Sequence, residues 1–391
     1  MTGSSTAQQG PVAALVSTAG WAAAAQRVLG EAWIATPQGL IDPAVARQRG
    51  SAPTLRSSPS PSLRRHLPAP VKTAVKDVRQ WRRARTFTVD PQGPWSGGDV
   101  AFVWQRHELF QDAGLRLAHA IGAPSVLFVP ATVIWEAEQW GTTRPGWGHW
   151  LEQHGERPAL RGADLVACGT DHVAEQVRRL GVAPDRILLT PSGVDLDLFD
   201  CGSDAAPTRA RLGLEGRFVV GWVGSFRRFH AIEQAVDAVA AVDGATLLLV
   251  GDGPERPRIE QLARDRGVAA VFTGTVEHAD LPAHLAAMDA ALVLAPVGAE
   301  YHYSPLKLAE YLATGVAVVA PAVGQLRERL TDGVDALLVP PHDIPALVGA
   351  LVRLRDEPGA RKRIGRAGRT AAEADWSWDH QVRRVLDALR H

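Results

Sequence analysis

The stretch Phe218-Val219-Val220-Gly221-Trp222-Val223-Gly224-Ser225-Phe226-Arg227-Arg228-Phe229-His230 decides the fold. An apolar, β-branched run ends in a glycine turn and feeds a helix-like stretch over 231–241, so the chain reads strand, turn, helix. The pattern then repeats. Runs over 246–250, 270–273, 291–295, 316–320 and 336–339 read as strands, and stretches such as 255–266 and 305–313 as the helices between them. Such apolar runs suit strands buried on both faces of a parallel sheet.

Working outward, 12–17, 99–104, 125–129, 165–167 and 186–190 read as further short buried strands, so an α/β fold of two domains is expected. Pro191-Ser192-Gly193 is a turn-forming group after the strand ending at Thr190, and the expected domains are 1–191 and 192–374, followed by a C-terminal segment 375–391. Residues 50–70, rich in Ser, Pro and Arg, read as a mobile surface loop.

The 391 residues suffice for two cores, and 46% hydrophobic with 21% charged residues excludes a disordered or collagenous chain. Lys plus Arg is 42 and Asp plus Glu is 42, so any charge-driven partner must meet a local patch. One such patch is Lys72, Lys76, Arg79, Arg82, Arg83 and Arg85 against the single acid Asp77. It reads as a solvated helix face, with peripheral contact to an anionic membrane through 72–85 as the alternative. Two cysteines, Cys168 and Cys201, are too few for a disulfide framework. The apolar stretch from Val12 has no charged start, since the first basic residue is Arg27, and no apolar run reaches about 18 residues; a cytoplasmic location is expected.

Tyr303-Ser304-Pro305-Leu306-Lys307-Leu308-Ala309-Glu310-Tyr311-Leu312-Ala313-Thr314-Gly315 carries the chemistry. Ser304 reads as an N-cap, Pro305 as the first helical residue and Gly315 as the stop. Free N–H groups, the helix dipole and the Lys307 charge make an anion site suited to a diphosphate. Glu310, three residues on, can accept hydrogen bonds from the vicinal hydroxyls of a ribose. A capped helix with a surface Lys–Glu pair would account for the same residues. The Gly224 turn, with Arg227, Arg228 and His230 after it, and the turn Val250-Gly251-Asp252-Gly253-Pro254 tip the balance: in parallel order they gather at strand carboxyl ends, where α/β sheets bind ligands.

These residues resemble those of the GT-B nucleotide-sugar glycosyltransferases, specifically glycosyltransferase family 4, of a bacterial specialised-metabolism type. The resemblance rests on Ser192-Gly193-Val194-Asp195, the Gly224 turn, Val250-Gly251-Asp252-Gly253-Pro254, Phe272-Thr273-Gly274-Thr275-Val276, the Glu310 helix and Trp376-Ser377-Trp378. It implies two Rossmann-like domains facing across a cleft: an acceptor domain first, a nucleotide-sugar domain second, and a C-terminal helix crossing back to the first. It implies donor contacts at Gly224, Ser225, Arg227, Arg228, His230, Gly251, Val276, Ser304, Leu306, Lys307 and Glu310. In that family two glutamates spaced Glu-x7-Glu flank the sugar nucleotide; Glu310 matches the second, and the first falls on His302, with Glu300 out of register. The family norm is retention, the leaving phosphate helping to deprotonate the acceptor. His302 in place of glutamate leaves inversion open, which needs a base.

For that base, His107 follows a predicted strand and has an intrinsic pKa near 6.5, while Glu136 and Glu138 follow another, beside Trp135 and Trp140 that could stack on a ring. The expected activity is transfer of a hexose, glucose or N-acetylglucosamine, from a UDP-sugar to a small hydroxylated acceptor such as a nucleoside or aminocyclitol antibiotic precursor. A cell-wall or polysaccharide acceptor is the alternative, as is an epimerase or hydrolase on the same scaffold. Arg256 ends the would-be dinucleotide fingerprint Gly251-Asp252-Gly253-Pro254-Glu255-Arg256, so an NAD enzyme is not expected. Asp195-Leu196-Asp197 reads as turn chemistry, and no obligatory metal or other cofactor is expected.

Overall fold

A computed structural model of the chain describes residues 11–37, 39–48, 68–200, 202, 204–296 and 301–390. The chain forms two compact units, Met1–Pro191 with His302–Ser304 and Gln381–His391, and Ser192–Tyr301 with Pro305–His380.

In the first unit a small antiparallel hairpin, β1 (Ile34–Thr36) and β2 (Gly39–Ile41), precedes a parallel sheet of β3 (Val103–Arg106), β4 (Ser125–Val129), β5 (Leu165–Cys168) and β6 (Ile187–Leu189), in that order. Leu127, Val129, Val166 and Cys168 pack with Leu160, Val173 and Val177 of the covering helices. The run over 12–17 is not a strand but part of the helix Pro11–Leu29. Short apolar runs do not distinguish strand from buried helix, and here the seven alanines between Pro11 and Leu29 favour helix. That helix carries Trp21, whose ring lies 5.7 Å from Trp104 and 6.2 Å from Phe128. Residues 50–67 of the expected loop lie outside the described residues, and Ala69 and Pro70 open the helix Ala69–Thr86 instead.

The second unit holds a six-stranded sheet of β7 (Phe218–Val223), β8 (Ala245–Val250), β9 (Ala270–Gly274), β10 (Ala290–Leu292), β11 (Ala317–Pro321) and β12 (Leu337–Val339), in the order β12-β11-β10-β7-β8-β9. Every pair is parallel. Both faces are buried: Val219, Leu248, Val250 and Val318 enter one core, Val220, Trp222, Leu247, Leu249 and Val319 the other. This is the doubly wound order, in which the chain runs outward one way from β7 through β9, then returns to β10 on the other side of β7. A topological switch point therefore lies between β7 and β10, and ligands of open α/β sheets bind outside the strand carboxyl ends at such a point.

Candidate functional site

Three segments of the second unit meet at that edge. The turn after β7 and the turn after β8 pack backbone to backbone: Gly224 N–H donates to Val250 O at 3.0 Å and Phe226 N–H to Asp252 O at 2.9 Å. Gly251, at φ +128°, has no room for a side chain, because a Cβ there would stand 2.0 Å from Gly224 O. The third segment is the helix Leu306–Thr314, ended by Gly315 at φ +70°. It is anchored from beneath by Tyr311, whose buried hydroxyl accepts from Val223 N–H at 2.8 Å. Leu306 opens the helix, and Val276, in the turn after β9, is partly buried against the core.

Lys307 Nζ lies 4.1 Å above the Trp222 ring and faces the Gly224 turn, 3.0 Å from where a Cβ of Gly224 would be. Burial lowers its pKa to about 7, with Glu310 opposing the shift. His230 Nε2 is 3.4 Å from Ser225 Oγ, and burial, then Lys307 and Arg227, hold its pKa well below the usual histidine value, so it is neutral rather than cationic. Arg227 Nε is enclosed without a hydrogen-bond partner among the described residues, while Arg228 is exposed at the start of the short turn Arg228–His230. The edge thus concentrates positive charge that burial makes costly, which an anion would relieve.

Glu310 is buried, with Oε1 3.2 Å from His278 Nε2. The Phe199 ring stands edge-on to that imidazole, 5.3 Å between centroids. His278 was not singled out from the sequence; its signal was its place two residues beyond Val276, in a turn already marked as part of the edge. Ser304 is not the N-cap. Pro305 takes that position at φ −74°, ψ 120°, with no side chain capping the first N–H groups. Pro305 itself is extended at ψ 120°, so the helix starts only at Leu306. Ser304 itself is grouped with the first unit.

In the first unit, His302 and Glu136 come together at the carboxyl ends of β4 and β5. His302 Nε2 is 3.6 Å from Glu136 Oε1, the Trp135 ring stands at 84° to the His302 imidazole with centroids 4.7 Å apart, and the His302 carbonyl accepts from Thr170 Oγ1 at 3.1 Å. The charges of Glu108 and Glu136 act on the buried Arg106, a residue the sequence did not flag. Glu138, two residues along the helix Val133–Gln139, points away from Glu136 and is exposed. His107 is buried, its Nε2 3.0 Å from Glu156 Oε1, and Glu156 Oε1 also accepts from Val133 N–H. His107 therefore steadies the start of the Val133–Gln139 helix through Glu156, a structural bond that makes it a poor candidate for a solvent-facing base.

Asp195 Oδ1 accepts from the N–H groups of Asp197 at 3.2 Å and Leu198 at 3.3 Å, as in an Asx turn. Among the described residues no three His, Cys, Asp or Glu side chains gather in a metal-binding group. Burial pushes the Cys168 thiol up to about 12, so it is not a nucleophile. Cys201 and Glu300 lie outside the described residues. No helix of the described residues is long and apolar enough to cross a membrane.

Comparison with known proteins bears on this geometry. Residues 217–357 match the family Glycosyl transferases group 1. The chain is 32% identical to the 2-deoxystreptamine N-acetyl-D-glucosaminyltransferase of Streptomyces fradiae, over 79% of this chain and 75% of that one. It is 30% identical to the D-inositol 3-phosphate glycosyltransferase of Kribbella flavida, over 60% of this chain and 58% of that protein's length. Its fold is that of Anabaena HepE, solved in complex with UDP, with a TM-score of 0.61 at 17% identity, covering 83% of this chain and 84% of that one. The chain belongs to the group 1 glycosyltransferases and has the GT-B fold.

Proposed function

We propose that this glycosyltransferase moves a hexose, glucose or N-acetylglucosamine, from a UDP-sugar to a hydroxyl of an aminocyclitol antibiotic precursor. The observation that carries the donor half is the pairing of Lys307 at the Gly224 turn with Glu310 one turn further along the same helix, at the switch point of the second sheet. Lys307, Arg227 and the uncapped N–H groups of the Leu306–Thr314 helix receive the diphosphate, and their positive charge stabilises the negative charge that grows on it as the glycosidic bond breaks. Glu310, held by His278, accepts hydrogen bonds from the ribose hydroxyls. The amino sugar and aminocyclitol in the name of the Streptomyces fradiae relative support both the donor and the acceptor class. On the acceptor side, the Glu136–His302 pair is the base candidate best supported by geometry, an imidazole beside a carboxylate that can take the proton of an attacking hydroxyl.

Glu310→Ala is expected to remove charge-assisted ribose bonds worth about 1.5–3 kcal/mol each, roughly tenfold to a hundredfold in affinity per bond. Titration calorimetry with UDP and with its 2′- and 3′-deoxyribose analogues checks this. The native protein discriminates against the deoxy analogues and the variant does not; a variant that binds UDP as tightly as the native protein contradicts the ribose assignment.

Turnover is expected to survive EDTA, because a helix N-terminus and cationic side chains perform at this site what Mg²⁺ performs at metal-dependent phosphate sites. Initial rates with EDTA, Mg²⁺ and Mn²⁺ test it. Complete loss with EDTA and recovery with either metal would overturn the diphosphate assignment and reopen Asp195-Leu196-Asp197 as a ligand set.

A further inference from the structure

We infer that the helix Ala69–Thr86 docks the protein onto an anionic lipid bilayer. All six cations of this helix, Lys72, Lys76, Arg79, Arg82, Arg83 and Arg85, are exposed. Its one acid is turned inward: Asp77 is 5% exposed and accepts from Arg144 Nε at 3.0 Å and Trp147 Nε1 at 3.0 Å. At about 100° per residue the exposed side covers roughly half the helix circumference and carries no negative charge. Within it Val71, Val75 and Val78 recur at helical spacing, 42%, 41% and 50% exposed. A solvated helix face gains nothing from such a stripe, and a helix that reads nucleic acid needs polar side chains there. A bilayer surface uses both parts, the cations at the headgroups and the valines at the acyl boundary.

The surface continues past the end of the helix. Arg85, whose guanidinium lies 4.7 Å over the Trp81 ring, lines a pocket of about 430 Å³ together with Phe110, Arg116, Trp150 and His154. Asp112, also in its wall, is ion-paired with Arg116. Trp150 is 51% exposed and stacked on His154 at 4.9 Å. An exposed tryptophan beside arginines is the side-chain set that sits at a membrane–water interface.

The test is co-sedimentation of the full chain with vesicles of phosphatidylcholine alone or mixed with phosphatidylglycerol, at low and high salt. Binding is expected only with phosphatidylglycerol, and it falls at high salt. Each cation near an anionic surface is worth about fivefold in partitioning, so the triple variant Arg79→Gln, Arg82→Gln, Arg83→Gln loses on the order of a hundredfold. Val75→Asp with Val78→Asp weakens vesicle binding as well. Both variants keep the native melting temperature and UDP affinity, which separates docking from folding and from the donor site. The inference is overturned if the native chain ignores phosphatidylglycerol vesicles at low salt, if phosphatidylcholine alone suffices, if the triple variant binds undiminished, or if duplex DNA is bound where vesicles are not.

Discussion

Lys307→Met is expected to abolish nucleoside diphosphate binding while making the unliganded protein more stable below pH 7. The two effects share one cause. Burial holds the Lys307 pKa at about 7 in the free protein, against 10.5 for an ordinary lysine. Below pH 7 the residue is charged in both folded and unfolded states, and the folded state carries the desolvation cost of the partly buried ammonium, on the order of a few kcal/mol. Between pH 7 and 10.5 the unfolded chain binds a proton that the folded one has released, so native stability rises with pH across that window. Methionine fills similar space without the charge and removes the low-pH penalty. A diphosphate beside Lys307 restores its charge, so binding takes up a proton above pH 7 and affinity falls by up to tenfold per pH unit. Calorimetry in buffers of different ionisation enthalpy reads that proton directly, and denaturation of both proteins at pH 6 and pH 9 reads the stability. A variant that is less stable at pH 6, or native binding without proton uptake at pH 8, contradicts the role given to Lys307.

Gly251→Ala is expected to be the most damaging small substitution in the second unit. The added Cβ would stand 2.0 Å from Gly224 O, a backbone atom that cannot swing aside as a side chain can. At φ +128° the backbone is also in a region that L side chains avoid, which adds about 1–3 kcal/mol. Overpacking adds about as much again, so a loss of roughly 2–6 kcal/mol follows. The strain falls on the two turns that shape the edge proposed for the donor, so any folded fraction should bind UDP weakly. Denaturant unfolding beside UDP titration checks both; native stability in the variant would mean that the two turns are not packed as described.

The second unit was legible because its strands are apolar runs closed by glycine turns, and each closing turn marks a carboxyl end. β7 was read to the residue, and β8 and β9 to within one. The first unit was less so: alanine is compatible with either element over a short window, and 12–17 belongs to a helix whose partners, Trp104 and Phe128, are remote in sequence. The residues proposed for the donor can be picked out because Lys307 and Glu310 sit on one short helix, a local pattern. The His278–Glu310 contact spans 32 residues and the His107–Glu156 contact 49, so neither partnership is visible in a local pattern. Ser304 reads as an N-cap by composition, but the extended ψ of Pro305 puts the cap one residue later.

The most direct test of the account is to incubate the purified protein with UDP-N-acetylglucosamine or UDP-glucose and an aminocyclitol such as 2-deoxystreptamine, and to follow the products by mass spectrometry and NMR. The account predicts a new glycoside of the cyclitol, formed with stoichiometric release of UDP and absent when either substrate is withheld or Lys307 is replaced. Release of free sugar, or an epimerised UDP-sugar, with or without the acceptor and with no glycoside formed, would contradict it.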